Sequence, residues 1–198
     1  MNKMIAGALF VGALSLTAAC AQAPQEAIDA ANQALEAART AEAPDYAPEK
    51  WQTAQDALNS AMTEIQAQNE KFALFRSYSE ASQLLENATQ AANTAGTEAA
   101  SSREAAKVRA ETLLQEAETA LAAAKAALET APKGKGTEAD LLAMTQEIET
   151  MTGSLASARE SFDAGKYLAA EASAQSVKDQ ANAIATDIAQ ARSKKPAT

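Results

Sequence analysis

Between Tyr78 and Ala131 the chain runs for 54 residues without a proline and with a single glycine, Gly96. The stretch is rich in Ala, Glu, Gln and Leu, residues that lose little freedom on entering a helix. One unbroken helix here would be roughly 80 Å long, at about 1.5 Å per residue. A helix of that length is not held by its own propensity, so shorter helices are expected to cover it on both sides of Gly96.

Composition agrees with that demand. Alanine supplies 54 of the 198 residues, whereas Gly and Pro together supply 12 and aromatic residues 4%. Such a chain favours helices with narrow interfaces and argues against sheets, which use β-branched and aromatic residues. The net charge is -9, and the acidic residues are spread along the sequence. The basic footprint of a nucleic-acid binder is missing, so no nucleic-acid partner is expected. A disordered polar chain is the alternative for this composition, and the heptad spacing described below argues against it.

The N-terminus carries an address. Lys3 precedes an apolar run from Met4 to Ala19, followed by Cys20. A basic start, a short apolar stretch and small residues at its end make a secretory signal, here residues 1–19. The run is short for a transmembrane helix. Cys20 is the chain's one cysteine, and an unpaired cysteine in an exported protein needs an explanation. Leu16-Thr17-Ala18-Ala19-Cys20 resembles a bacterial lipobox, in which the cysteine is acylated and becomes the first mature residue. Thr17 departs from the Leu usual at its position. Ordinary cleavage after Ala21 or Ala23 would instead leave Cys20 in the discarded peptide. In lipoproteins of this kind an Asp after the cysteine signals retention in the inner membrane; Ala21 implies an outer-membrane address. Several acyl chains hold a protein much more firmly than one.

The body reads as one plan used twice. After a tether at 20–24, Ile28, Ala31, Leu35 and Ala38 follow helical spacing until Ala43-Pro44-Asp45-Tyr46-Ala47-Pro48 ends the first helix. Trp51, Ala54, Leu58, Ala61, Ile65 and Phe72 mark the second helix, with Gln68 the one polar entry in the seam. Ser77 and Glu80 have capping-box spacing, and Tyr78, Ala81, Leu85, Ala88, Ala92 and Ala95 continue the seam. In the second half Leu114, Ala117, Leu121, Ala124 and Leu128 precede the turn Pro132–Gly136. A helix carrying Leu141 to Phe162 and another carrying Tyr167 to Ala191 complete the set, with Thr137 and Asp140 positioned to cap the former. Trp51 matches Leu141 and Phe72 matches Phe162, both 90 residues apart. The fold expected is therefore all-α: an elongated antiparallel helical bundle or coiled coil of two tandem three-helix units, 25–97 and 98–192, sharing a long central helix. A basic disordered tail is expected at 193–198. Between Ala95 and Ala110 the seam slips by one heptad position, which marks Gly96 as the expected bend; a straight rod and a folded-back bundle both satisfy the spacing.

The aromatic residues beyond Cys20 fall at helix ends, where they can plug Ala-lined bundles. In Lys71-Phe72-Ala73-Leu74-Phe75-Arg76 a second reading arises. If the first helix leaves a membrane at Cys20, the second returns toward it, and Phe72, Leu74 and Phe75 form a candidate membrane-interface turn between flanking bases. The opposite end collects Lys133, Lys135, Arg192, Lys194 and Lys195, a candidate basic tip for anionic cell-wall material or an acidic protein. Bases near helix C-termini also complement the macrodipole without any partner.

Histidine is absent, so His-based triads have no base, and Cys20 is committed to the anchor or lost. Neither an enzyme nor a cofactor or metal site is expected. The run from the Ala-rich helix through Ala43–Pro48, Trp51, Ala54, Leu58 and Ala61 to the aromatic turn and Tyr78…Ala81 resembles the bacterial Ala-rich envelope lipoproteins of the DUF4398 (domain of unknown function) family. The likeness covers roughly 24–100, with a weaker echo to Ala191. The Gly often found just ahead of the turn Tyr is missing from Arg76-Ser77-Tyr78, whereas Gly165 precedes Tyr167. The resemblance implies an anchored, non-catalytic helical domain in the periplasm. Its expected role is a spacer or protein-interaction adaptor held at the membrane by the lipid, facing a protein partner or the cell wall. The alternative is a binding module or carrier for a cell-wall or hydrophobic ligand. Oligomeric state is not legible.

Overall fold

The computed structural model describes residues 22–132 and 137–194. Among them every regular element is helical: α1 (Gln25–Thr40), α2 (Ala43–Tyr46), α3 (Pro48–Glu70), α4 (Ser79–Glu129), α5 (Glu138–Asp163) and α6 (Tyr167–Lys194), plus a 3₁₀ turn at Ala73–Phe75. With neither proline nor turn chemistry to stop it, α4 is continuous for 51 residues, about 77 Å at the helical rise. It packs against all five other helices. The expected all-α bundle around a long central helix is what the chain forms.

Direction follows from which residues meet. α1 lies parallel to the first half of α4, with Ala31 clustered with Ala81 and Ala88, and Ala38 with Ala95 and Ala99. α3 returns along the same half, placing Trp51 in the cluster of Ala95 and Ile65 in that of Tyr78. Along the second half α5 runs back, with Arg159 paired to Glu118, and α6 runs forward. The α4–α6 register is constant: Arg109 to Glu171, Lys178 to Glu116 and Arg192 to Thr130 are each 62 residues apart. Thus α4 is the third helix of the first trio and the first helix of the second. The trios are strung along it, not folded back on each other.

The interface is an alanine seam. Ala81, Ala88, Ala92, Ala95, Ala99, Ala106, Ala110, Ala117 and Ala124 of α4 are all 0% exposed. Methyl-lined helices approach toward the low end of the usual spacing of about 8–10 Å, yet each methyl removes little area from water. Larger residues are concentrated in the second trio, where Leu114, Leu121, Ile148, Met151, Leu155, Val177, Ile184 and Ile188 join one cluster. The first trio divides into two smaller clusters, and α1 buries only Ala31 and Ala38. It is the most weakly held of the long helices.

Five expectations need correction. Gly96 does not interrupt the helix: α4 is continuous through it, and the glycine faces α1, where an added Cβ would lie 3.4 Å from the Cα and 3.7 Å from the Cβ of Ala38. The seam does slip nearby, stepping by fours from half-buried Ser102 through Ala106, Ala110 and Leu114, a spacing that relaxes the supercoil of packed helices without ending them. Phe72 is not on the α3 seam, because the backbone turns extended at Lys71 (ψ 154°). The Ser77/Glu80 capping box does not form; Tyr78 is the N-cap of α4, and the Ser77 N–H donates to Gln68 Oε1 at 3.0 Å. Before Pro48 starts α3, Ala43–Tyr46 makes the extra helical turn α2, entered through Glu42 in the left-handed region (φ 61°). Finally, α6 continues through Ser193 and Lys194, so that part of the expected tail is helical.

Candidate functional site

Three places on the rod gather side chains that lie outside the alanine seam. The first is the end at which the described chain begins. Ala23 packs against the cluster containing Tyr78 and Ala81, so α1 enters beside the α3–α4 turn. That turn is rigidly wired on its inner side. Arg76 folds back, its Nε donating to the Lys71 carbonyl at 2.9 Å and its Nη2 to the Asn69 carbonyl at 2.8 Å, which satisfies the orphan acceptors at the end of α3. The Tyr78 hydroxyl donates to Asn69 Oδ1 at 2.5 Å. Gln68, buried in the seam, accepts from the Ser77 N–H and donates to Glu64 Oε1 at 2.6 Å.

The outer side of the same turn is apolar. Phe72, Leu74 and Phe75 are 69%, 77% and 76% exposed, and the two rings pair at 6.3 Å with a 51° tilt. They do not plug the bundle; buried Tyr78 does that. Of the two flanking bases, Arg76 is engaged with α3 carbonyls, and Lys71 is exposed. Cys20 lies outside the described residues, three positions before Ala23.

The second place is the midpoint of α4, where the trios meet. Arg103 donates from Nε to Glu42 Oε2 at 2.7 Å and stacks over the Tyr167 ring, 4.8 Å from its centroid. Tyr167 in turn packs on Phe162 at 5.3 Å. Both helices that end here do so through a left-handed residue: Glu42 after α1, and Gly165 (φ 76°) after α5, with the Gly165 N–H bonded to the Phe162 carbonyl and the Lys166 N–H to the Ser161 carbonyl. A Cβ on Gly165 would stand 3.0 Å from Arg103 Nη2. The hydrogen bond that Arg103 donates to Glu42 strengthens the Arg103 proton affinity, as the one to Glu171 does for Arg109. Burial pushes the Tyr46 phenol above its ordinary value, aided by the Glu42 charge, while Arg103 and the Tyr167 backbone oppose the rise. This Glu42–Arg103–Tyr167 clasp was not among the sequence-level candidates. A base at the slip in an acidic helix was its one visible sign.

The third place is the far end, where α4 and α6 finish and α5 begins. Arg192 of the expected basic tip donates from Nη2 to the Thr130 carbonyl at 2.8 Å and also contacts the Thr130 hydroxyl. It caps α4, as bases near a C-terminus do. Lys133, Lys135 and Lys195 lie outside the described residues, as does the side chain of Lys194. Of the five bases, Arg192 alone has its side chain among the described residues.

Between α1 and α4 runs an open furrow of about 790 Å³, lined by Ala27, Ala30, Leu85, Thr89, Asn93 and Thr97 among others. The Thr89 and Thr97 hydroxyls donate to the carbonyls of Leu85 and Asn93 one turn back. Among the described residues no group of His, Cys, Asp and Glu could hold a metal ion, and no helix is long and apolar enough to cross a membrane. No family model matches the chain, and no curated protein or solved structure is detectably similar to it.

Proposed function

We propose that this chain is a non-catalytic lipoprotein, acylated at Cys20 and held at the outer membrane, that acts in the periplasm as a helical spacer or protein-interaction adaptor built from a duplicated three-helix unit. The observation that carries the reading is the polarity of the rod. The chain enters at one end, three residues after the lipobox cysteine, and a helix of about 77 Å separates that end from the other. A seam of interlocked alanines suits a part whose task is to keep a distance and a direction.

Intact mass of the mature protein from bacterial envelopes tests the anchor: acylated Cys20 at the N-terminus is expected, and a chain beginning at Gln22 or Pro24 refutes it. Photo-crosslinkers at the far end, at Thr130 and Leu142, test the adaptor. Discrete protein adducts support it. Their absence together with a co-purified lipid or glycan favours a binding module, a reading that the α1–α4 furrow supplies with a surface.

A further inference from the structure

The two trios contain the same turn in two situations. In the second trio the α5–α6 turn meets the first trio: Phe162 is half-buried against Tyr167, and Tyr167 lies beneath Arg103. In the first trio the α3–α4 turn holds the same place in the plan, yet among the described residues nothing stacks on it. The open end of a stacked helical array is ordinarily polar. Here it carries the most exposed large apolar side chains of the described chain. Arg76, Asn69, Gln68 and Tyr78 fix the backbone beneath them, so the three side chains stay outward in a preset arrangement.

The neighbourhood says what covers them. Ala23 packs at this end, and the three residue steps from there back to Cys20 span at most about 10 Å. Upstream stands the apolar segment ending at Ala19. An acyl anchor at Cys20 would therefore set this turn at the surface of the same leaflet. We propose that Phe72, Leu74 and Phe75 insert into the interfacial region of a lipid bilayer as a second contact beside the anchor, an inference that rests on the lipoprotein reading above. A single point of attachment leaves a rod free to swivel; two contacts hold its long axis away from the membrane plane. Lys71 and Arg76 are matched in charge by Glu70 and Glu80 close by. Insertion is consequently apolar in origin and does not require anionic lipid.

The test uses the mature chain with a single reporter, Phe75→Trp in a Trp51→Phe background, in vesicles of phosphatidylcholine brominated at known acyl depths. It is run both with the native anchor and with the Cys20 thiol coupled to a maleimide lipid, so the turn is measured whether or not cells acylate Cys20. Circular dichroism confirms the unaltered helix content of each variant. Expected are a blue shift on vesicle attachment and loss of roughly half the emission to shallow bromines, as for a group about 5–10 Å below the headgroup boundary. Leu142→Trp, 61% exposed near the far end, should show neither. Adding Phe72→Ser to the Phe75→Trp chain should weaken the quenching. Emission at position 75 that is the same in buffer and on vesicles overturns the proposal. So does a blue shift that grows with protein concentration without lipid, which would assign the surface to a second copy of the chain. A failed anchor reads out separately, as the mass of the N-terminal peptide.

Discussion

Two glycines inside helices offer a direct measure of how closely the helices approach. Gly153 sits in α5 with nothing within 4 Å of where a Cβ would lie, and Gly96 sits in α4 with Ala38 at 3.4 Å. Replacing either with Ala removes the helical penalty of glycine, about 0.5–1 kcal/mol. At Gly153 that is the whole effect. At Gly96 the new methyl also meets three Ala38 atoms at 3.4–3.9 Å, each carbon contact worth about 0.1–0.2 kcal/mol, and it loses some exposure to water. Gly96→Ala should therefore stabilise by about 1–1.5 kcal/mol, and Gly153→Ala by about 0.5–1 kcal/mol. For a chain of this size those gains raise the midpoint by roughly 2–6 °C and 1–4 °C. Gly96→Leu drives its branches into the backbone of Ala38 and should lose about 1–3 kcal/mol. Thermal unfolding followed at 222 nm, with small-angle scattering of the native proteins, reads all three. A lowered midpoint for Gly96→Ala would mean that the α1–α4 gap is narrower than described. A change in maximum dimension would mean that Gly96 is a hinge after all. Either result refutes the reasoning.

Gly165→Ala should destabilise by about 1–2 kcal/mol, because a side chain is forced to a positive φ. Chemical denaturation would show Gly165→Asn recovering much of that loss. The raised Tyr46 phenol adds stability in full below pH about 10, the ordinary tyrosine value, and this is lost as pH climbs through the higher folded-state value. Melts on either side of that pH should fall less for Tyr46→Phe than for the parent, and equal falls would contradict the linkage. Hydrogen exchange should be faster in α1, which buries two alanines, than in the middle of α6, where Val177, Ala181 and Ile184 are buried. Equal protection of the two helices would show that methyl packing holds α1 better than its area implies.

What the sequence disclosed was local and periodic. The length of α4 was legible because proline is absent, and the start of α3 because Pro48 suits a first helical turn. α2 was not legible, since four residues contain no period; it follows from the left-handed Glu42, a position usually held by glycine. Phe72 was misplaced because heptad counting continued through a helix end that Arg76 and Gln68 enforce from across the turn. Gly96 stood out by its helix propensity, which reports the cost within one helix and not the neighbour, Ala38, that lies against it. Of the candidate site, the apolar turn was visible as a run of aromatics between bases. The clasp was not, because Arg103 and Glu42 are 61 residues apart, and such pairing is decided by packing. Of the far-end bases, Arg192 caps α4 through the Thr130 carbonyl, a contact between residues 62 positions apart that no local pattern announces.

The parallel course of α1 and α6 along α4 has a mechanical meaning. The two ends of the described chain lie at opposite ends of the molecule, so a tensile load between them would drag α1 and α6 lengthwise along α4 in opposite senses. Interfaces loaded in shear give way only when all their lateral contacts slip together, whereas peeled ones open a turn at a time. The small methyl knobs offer little resistance to sliding individually, and the ion pairs in constant register between α4 and α6 act as teeth along that track. Among the described residues α1 forms no ion pair of its own with α4 and is held by charge at one end alone, through Glu42 and Arg103, so under tension it is the helix that would slide first.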